Sequence, residues 1–155
     1  MEFAGMAERT FGELVRDARR APRLLIGDSP YRGSITGPED VVAAWPELRH
    51  AEREVFGVLV LNARHVATHR VVVSIGSLNA SIVHPREVFR VAVLYSAASL
   101  ILTHNHPSGD PEPSEEDLSI TRRLVQCGDL LGVGVLDHVI IARRGTVSFR
   151  ARELM

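Results

Sequence analysis

The run EVFGVLVL, Glu54 to Leu61, is apolar at both of its alternating sets of positions from Val55 onward. Successive side chains of an extended chain point to opposite faces, so such a strand must be covered on both sides. A second extended run, HVATHRVVVSI from His65 to Ile75, follows a break around Ala63 and Arg64 and pairs with the first as a hairpin. The cover comes from segments with helical spacing. PREVFRVAVLYSAAS, Pro85 to Ser99, opens on a proline suited to a first helical residue, and Ile120, Leu124, Cys127 and Leu131 form a later stripe. Strands interleaved with helices predict an α/β domain.

The remaining elements fall around this frame. A chain of 155 residues fits one domain. Residues 1–37 read as an extension, with a helix from Phe11 to Arg20 followed by the Pro-, Gly- and Ser-rich APRLLIGDSPYRGSITG, which reads as irregular chain. Residues 38–155 read as the compact domain, opened by a helix at Pro38 behind Thr36 or Gly37 as cap. A third extended piece is expected at Ser77–Val83, and SLILTH is a further strand. A helix beginning near Ser114 and ending at Gly128 comes next, then a hairpin of VGVLDHVIIA and TVSFR about Arg144 and Gly145.

Composition excludes several classes. One cysteine permits neither an internal disulfide nor a Cys-x-x-Cys zinc site, which suits a reducing cytoplasm. The N-terminal residues lack the apolar core of a signal peptide, and no apolar run nears the ~20 residues of a membrane span, so a soluble cytoplasmic protein is expected. With 18 Lys+Arg against 19 Asp+Glu, no broad phosphate-neutralising surface is indicated. GDLLGVGVL is not a dinucleotide fingerprint, because it lacks the G-x-G-x-x-G order and follows a helix.

The chemistry concentrates in LILTHNHPSGDPEPSEEDLSI, Leu100 to Ile120. If the strand extends through His106, His104 and His106 project to one side, about 7 Å apart at Cα. Two imidazoles on one face can share a metal, and zinc takes imidazole nitrogens and carboxylate oxygens alike. The loop Pro107 to Ser114 lets the chain reverse and start a helix whose inward stripe includes Asp117, a suitable third ligand. Its three prolines lower the entropy lost in holding that ligand in place. Ser114 and Asp117 also have the spacing of a capping box, which is compatible with a functional role.

HNHPSGDPEPSEED resembles the JAMM metal signature of JAB/MPN domains, and the flanking HPREVFRVAVLYSAAS and GVLDHVII are similar to the RadC branch of that superfamily. The resemblance runs from about Pro38 to Phe149. It implies a JAB/MPN (cytidine-deaminase-like) α/β fold, a curved mixed sheet flanked by helices, and Zn2+ held by His104, His106 and Asp117. It further implies that Ser114 helps stabilise an oxyanion and that a glutamate on an earlier strand activates water. Glu54 matches that position best, with Glu52 sharing its face if the strand begins early. A carboxylate at the edge of an apolar strand is partly desolvated, which suits it to general-base work.

The implied activity is zinc-dependent amide hydrolysis of a protein or peptide, as in metallopeptidases and isopeptidases. The alternative is a DNA-repair-associated accessory factor or a metal-dependent nuclease. RadC-like proteins carry a helix-hairpin-helix-like segment before this domain, and the 40 or so residues here are dissimilar to one, so weak nucleic-acid association is expected. No membrane association is expected. Asp137 and His138 also match the RadC pattern, but they alternate faces on a strand, leaving one of them open to solvent and the other a candidate to support a ligand. His65, His69 and His84 read as surface or cap residues, and Cys127 as core.

Overall fold

The computed structural model describes residues 29–76 and 83–155. The helix expected at Phe11–Arg20 and nearly all of the extended piece expected at Ser77–Val83 lie outside them. Six strands are described: β1 (Ser29–Ser34), β2 (Glu54–Leu61), β3 (Val66–Gly76), β4 (Ser99–Asn105), β5 (Gly134–Ala142) and β6 (Gly145–Ser148). The helices are α1 (Pro38–Ala44), α2 (Pro85–Leu94) and α3 (Glu115–Leu131), with a 3-10 turn at Leu48–His50.

The strands form one mixed sheet in the order β1-β3-β2-β4-β5-β6. All neighbours are antiparallel except β4 and β5. A parallel pair needs a crossover, and α3 supplies it. Alternation along β2 divides its apolar side chains between the two faces, as the sequence requires. Phe56, Val58 and Val60 join Leu100 and Leu102 of β4 beneath α2 and α3. Leu59 and Leu61 join Ile101, Val139 and Ile141 beneath α1 and Trp45.

Three local expectations are corrected. The stretch around Ser29–Ser34 is a strand, paired with β3 through an irregularity between Pro30 and Gly33. It lies at the sheet's edge, where a proline's missing N–H leaves no ladder bond unmade. Helix α2 stops at Leu94 instead of running to Ser99. Ser96 takes a positive φ of 51°, and the Ala97 N–H closes back on the Ala92 carbonyl at 2.9 Å, freeing Ala98 to bond Leu61 at the start of β4. Helix α3 passes through Gly128 and ends at Gly132, whose φ is 70°. Gly128 serves close packing, since a Cβ there would lie 2.4 Å from the Val133 carbonyl oxygen.

The β2–β3 turn falls where expected, at Asn62 to His65, with the Asn62 side chain accepting the N–H groups of Arg64 and Val66. The final hairpin turns at Arg143 and Arg144, one residue earlier than expected. No helix among the described residues is long and apolar enough to cross a membrane.

Candidate metal centre

β4 is buried along its whole length and ends at Asn105, and the His106 N–H continues the ladder to the Ile141 carbonyl at 3.3 Å. His104 and His106 therefore stay on one face, and their Nε2 atoms lie 3.0 Å apart. Beyond them the chain turns at Gly109, whose φ of 90° favours glycine. The β5–β6 turn clamps this loop. The Arg144 N–H donates to the Gly109 carbonyl at 3.0 Å and the Arg143 guanidinium to the Pro107 carbonyl at 2.9 Å. Nearer the helix, Arg152 pairs with Glu112 at 2.8 Å.

Ser114 caps α3. Its Oγ accepts the Asp117 N–H at 3.1 Å, and its own N–H donates to Asp117 Oδ2 at 2.8 Å. This reciprocal cap aims the carboxylate inward, where it is almost fully buried. Asp117 Oδ1 lies 3.1 Å from His104 Nε2, and Oδ2 lies 3.2 Å from His106 Nε2. Three ligands at zinc's usual ~2.0 to 2.1 Å in tetrahedral array stand about 3.3 Å apart, close to these spacings. The three residues can hold a metal ion.

The donor set itself suits a cation. His106 Nδ1 lies 2.8 Å from the Asp110 carbonyl, which only accepts, so Nδ1 carries a proton and the Nε2 of a neutral ring is bare. That bare nitrogen faces a carboxylate oxygen, two acceptors that a proton or a metal must reconcile. The hydrogen bond to Asp117 correspondingly raises the affinity of His106 for a proton, against a smaller effect of burial. Burial opposes ionisation of Asp117, but the two imidazoles beside it, when either takes up a second proton, and the Ser114 N–H more than offset it, and the carboxyl is held well below the usual range. His104 is shifted the other way, because complete burial outweighs the attraction of Asp117.

The register that sets Phe56 opposite His104 brings Glu54 level with His106. Glu54 is half-buried, its charge acts on both histidines, and it lines a cleft of about 540 Å³ with His106, Ser108, Ser114, Glu116 and Asp117. Glu52 precedes β2, is exposed, and does not line this cleft. Of the two sequence candidates, only Glu54 is brought to the histidines.

Neither Asp137 nor His138 is exposed, contrary to the expectation for one of them. Both are buried, on opposite faces of β5. Asp137 faces α1 and fastens the chain end, accepting from the His138 and Arg150 N–H groups and the Ser148 hydroxyl. His138 lies behind His104, with its Nε2 2.8 Å from His104 Nδ1. His65 is exposed, His69 stacks on Tyr95 with ring centroids 4.0 Å apart, His84 precedes α2 as its cap residue, and Cys127 packs against the core.

Two further buried residues escape a motif reading. Thr121, one helical turn after Asp117, lies 2.6 Å from His138 Nδ1. Its signal is the i, i+4 spacing from Asp117. Asn105, between His104 and His106, points to the opposite face. Its carboxamide accepts the Val55 N–H at 2.7 Å and donates to the Ala51 and Arg53 carbonyls, gripping the backbone on both sides of Glu54.

Among the described residues, a mixed six-stranded sheet with three helices, carrying a His-His-Asp group at a strand end, defines a JAB-type α/β domain. The family model described as "RadC-like JAB domain" matches residues 35–154, and the chain belongs to that family. Relatives named UPF0758 protein include one from Syntrophomonas wolfei, 47% identical, with the alignment covering 91% of this chain and 62% of the relative. One from Caldanaerobacter subterraneus is 48% identical over 84% of this chain and 56% of the relative. One from Bacillus cereus is 44% identical over 96% and 65%. The chain thus spans less than two thirds of these relatives' length. The alignment covering 96% of this chain extends into its first 37 residues, whereas the family model begins at residue 35.

Proposed function

We propose that this chain is a zinc-dependent hydrolase of amide bonds, a metallopeptidase or isopeptidase acting on protein or peptide in the cytoplasm. The observation that carries the reading is the convergence of His104, His106 and Asp117, a set of acceptors suited to a divalent cation, at a cleft that His106 and Asp117 line together with Glu54 and Ser114. Zinc bound there supplies Lewis acidity and lowers the pKa of water toward neutrality.

The chain's own groups supply the rest. Glu54 stands at the cleft wall with a carboxylate able to take a proton from the attacking water and return it to the departing amine nitrogen. The Ser114 hydroxyl accepts the Asp117 N–H and keeps its own proton to donate to the oxygen that gains charge as the carbonyl is attacked. Asn105 holds the backbone that carries Glu54, so the base does not have to be ordered by substrate.

A phosphodiester substrate is disfavoured. Glu54, Glu116 and Asp117 line the cleft, and among the described residues that line it there is no arginine. Three carboxylates exceed the charge of one divalent ion, which repels phosphate and suits a neutral amide or a basic side chain. Elemental analysis of purified protein with cleavage assays on amide-linked and nucleic-acid substrates tests the reading. Zinc at about one per chain with amide cleavage is expected. Protein that stays metal-free after zinc addition, or that cleaves only nucleic acid, refutes it.

A further inference from the structure

Behind His104, away from the cleft, two polar side chains are sealed into the layer between the sheet and α3. His138 and Thr121 have no exposed surface. Buried polar groups persist where every donor and acceptor is matched, and here the matching has a direction.

The direction starts at a group with no choice. Thr121 Oγ1 lies 2.6 Å from the Asp117 main-chain carbonyl, which only accepts, so the hydroxyl gives its single proton there. Toward His138 Nδ1, also at 2.6 Å, the same oxygen can then only accept, so Nδ1 carries a proton. An imidazole without solvent contact is neutral and has one N–H, which leaves His138 Nε2 bare. The facing atom, His104 Nδ1 at 2.8 Å, must therefore be the donor. His104 in turn is left with a bare Nε2, and that atom faces Asp117 Oδ1 at 3.1 Å and His106 Nε2 at 3.0 Å.

We propose that Thr121 and His138 act as a positioning pair that fixes the tautomer and ring orientation of His104, so that its metal-binding lone pair is set before any metal arrives. The inference rests on the metal reading of His104, His106 and Asp117. Packing holds the pair in place. The His138 ring stacks on Phe149, with centroids 4.7 Å apart and planes at 25°, and meets Phe56 edge-on at 5.6 Å. Because the relay ends on the backbone of Asp117, the helix that supplies one ligand also sets the proton position on another. A carboxylate behind His104 would reach the same tautomer while adding negative charge. The neutral pair does so without adding to the acids already lining the cleft.

The test uses the full chain, labelled with 15N-histidine and stripped of metal. Long-range 1H–15N spectra should show both His104 and His138 protonated at Nδ1. Thr121→Val removes the acceptor for His138, whose proton should move to Nε2 and force His104 to the opposite tautomer. Zinc affinity, measured against a competing chelator, should then fall by about 10- to 100-fold. Thr121→Ser restores the hydroxyl and should restore both tautomer and affinity. His138→Gln can accept from His104 and donate to Thr121, so it should keep affinity close to wild type, whereas His138→Phe should not.

A wild-type His104 protonated at Nε2 in the metal-free protein overturns the proposal even if no variant folds. Unchanged zinc affinity in folded Thr121→Val also overturns it, and leaves the metal site itself standing. The expected tautomers in a chain that takes up no zinc would uphold the relay and sink the metal reading instead.

Discussion

Replacing Ser114 by alanine separates two roles that one side chain holds. The hydroxyl accepts the Asp117 N–H at 3.1 Å, so its loss leaves one donor of the first helical turn unmatched, which costs about 1 kcal/mol. For a domain of this size that corresponds to a fall in Tm of about 2 to 4 °C. The other half of the cap survives, because the 2.8 Å bond to Asp117 Oδ2 comes from the Ser114 main chain. Asp117 should stay aimed at the histidines, and zinc affinity should change little. Turnover should drop about 10² to 10³-fold if the hydroxyl donates to the developing oxyanion. Ser114→Gly sharpens the comparison, since glycine at a cap costs only a few tenths of a kcal/mol but lacks the hydroxyl equally. Calorimetry, chelator competition and turnover of zinc-replete enzyme on an amide substrate read the three quantities separately. Turnover unchanged in both variants, with Tm lowered only in the alanine one, would show Ser114 to be a cap alone. Loss of zinc would refute the claim that the main-chain bond suffices to aim Asp117.

Glu54→Gln should keep fold and zinc while turnover falls about 10² to 10⁴-fold, and Glu52→Gln should change little; the opposite ranking in steady-state kinetics would transfer the base to Glu52. Asn105→Ala should lower turnover with zinc retained, because the Val55 N–H and the Ala51 and Arg53 carbonyls lose their partner beside Glu54; full turnover in the folded variant would remove Asn105 from the positioning of the base. Burial holds His104 and His138 below the ordinary 6.5, so the unfolded chain takes up protons there that the folded chain does not, and metal-free protein should lose stability as pH falls below 6.5. His106, raised chiefly by its bond to Asp117, has the opposite sign: its contribution is present below 6.5 and lost as pH rises through its folded value, so it offsets only part of that loss. Denaturation in chelator at about pH 5.5 and about pH 7.5 checks the net sign, and greater stability at the lower pH refutes it. Duplex DNA should bind no tighter than the ~10⁻⁴ to 10⁻⁶ M typical of non-specific association, and nanomolar binding to a branched or nicked duplex would favour a DNA-associated role.

The sequence by itself determined the features that depend on spacing along one element. The two-residue step from His104 to His106 places both rings on one face of any strand, and the three-residue step from Ser114 to Asp117 closes a cap at any helix start. Unbroken apolarity from Val55 to Leu61 likewise required cover on both faces whatever supplied it. Tertiary structure decided what depends on register and on distant partners. Ser29–Ser34 is a strand only because β3 offers an edge where Pro30 can be accommodated, and Gly128 is needed only because Val133 folds back against α3. Glu54 and Glu52 are indistinguishable by composition until the antiparallel pairing of β2 with β4 sets one of them level with His106. The pairing of β4 with β5 and the path of α3 between them bring His138 behind His104 and Thr121 behind His138, across 34 and 17 residues of chain. Local spacing carries no trace of such a contact, since hydrogen-bond energy depends on separations in space that only the assembled sheet defines.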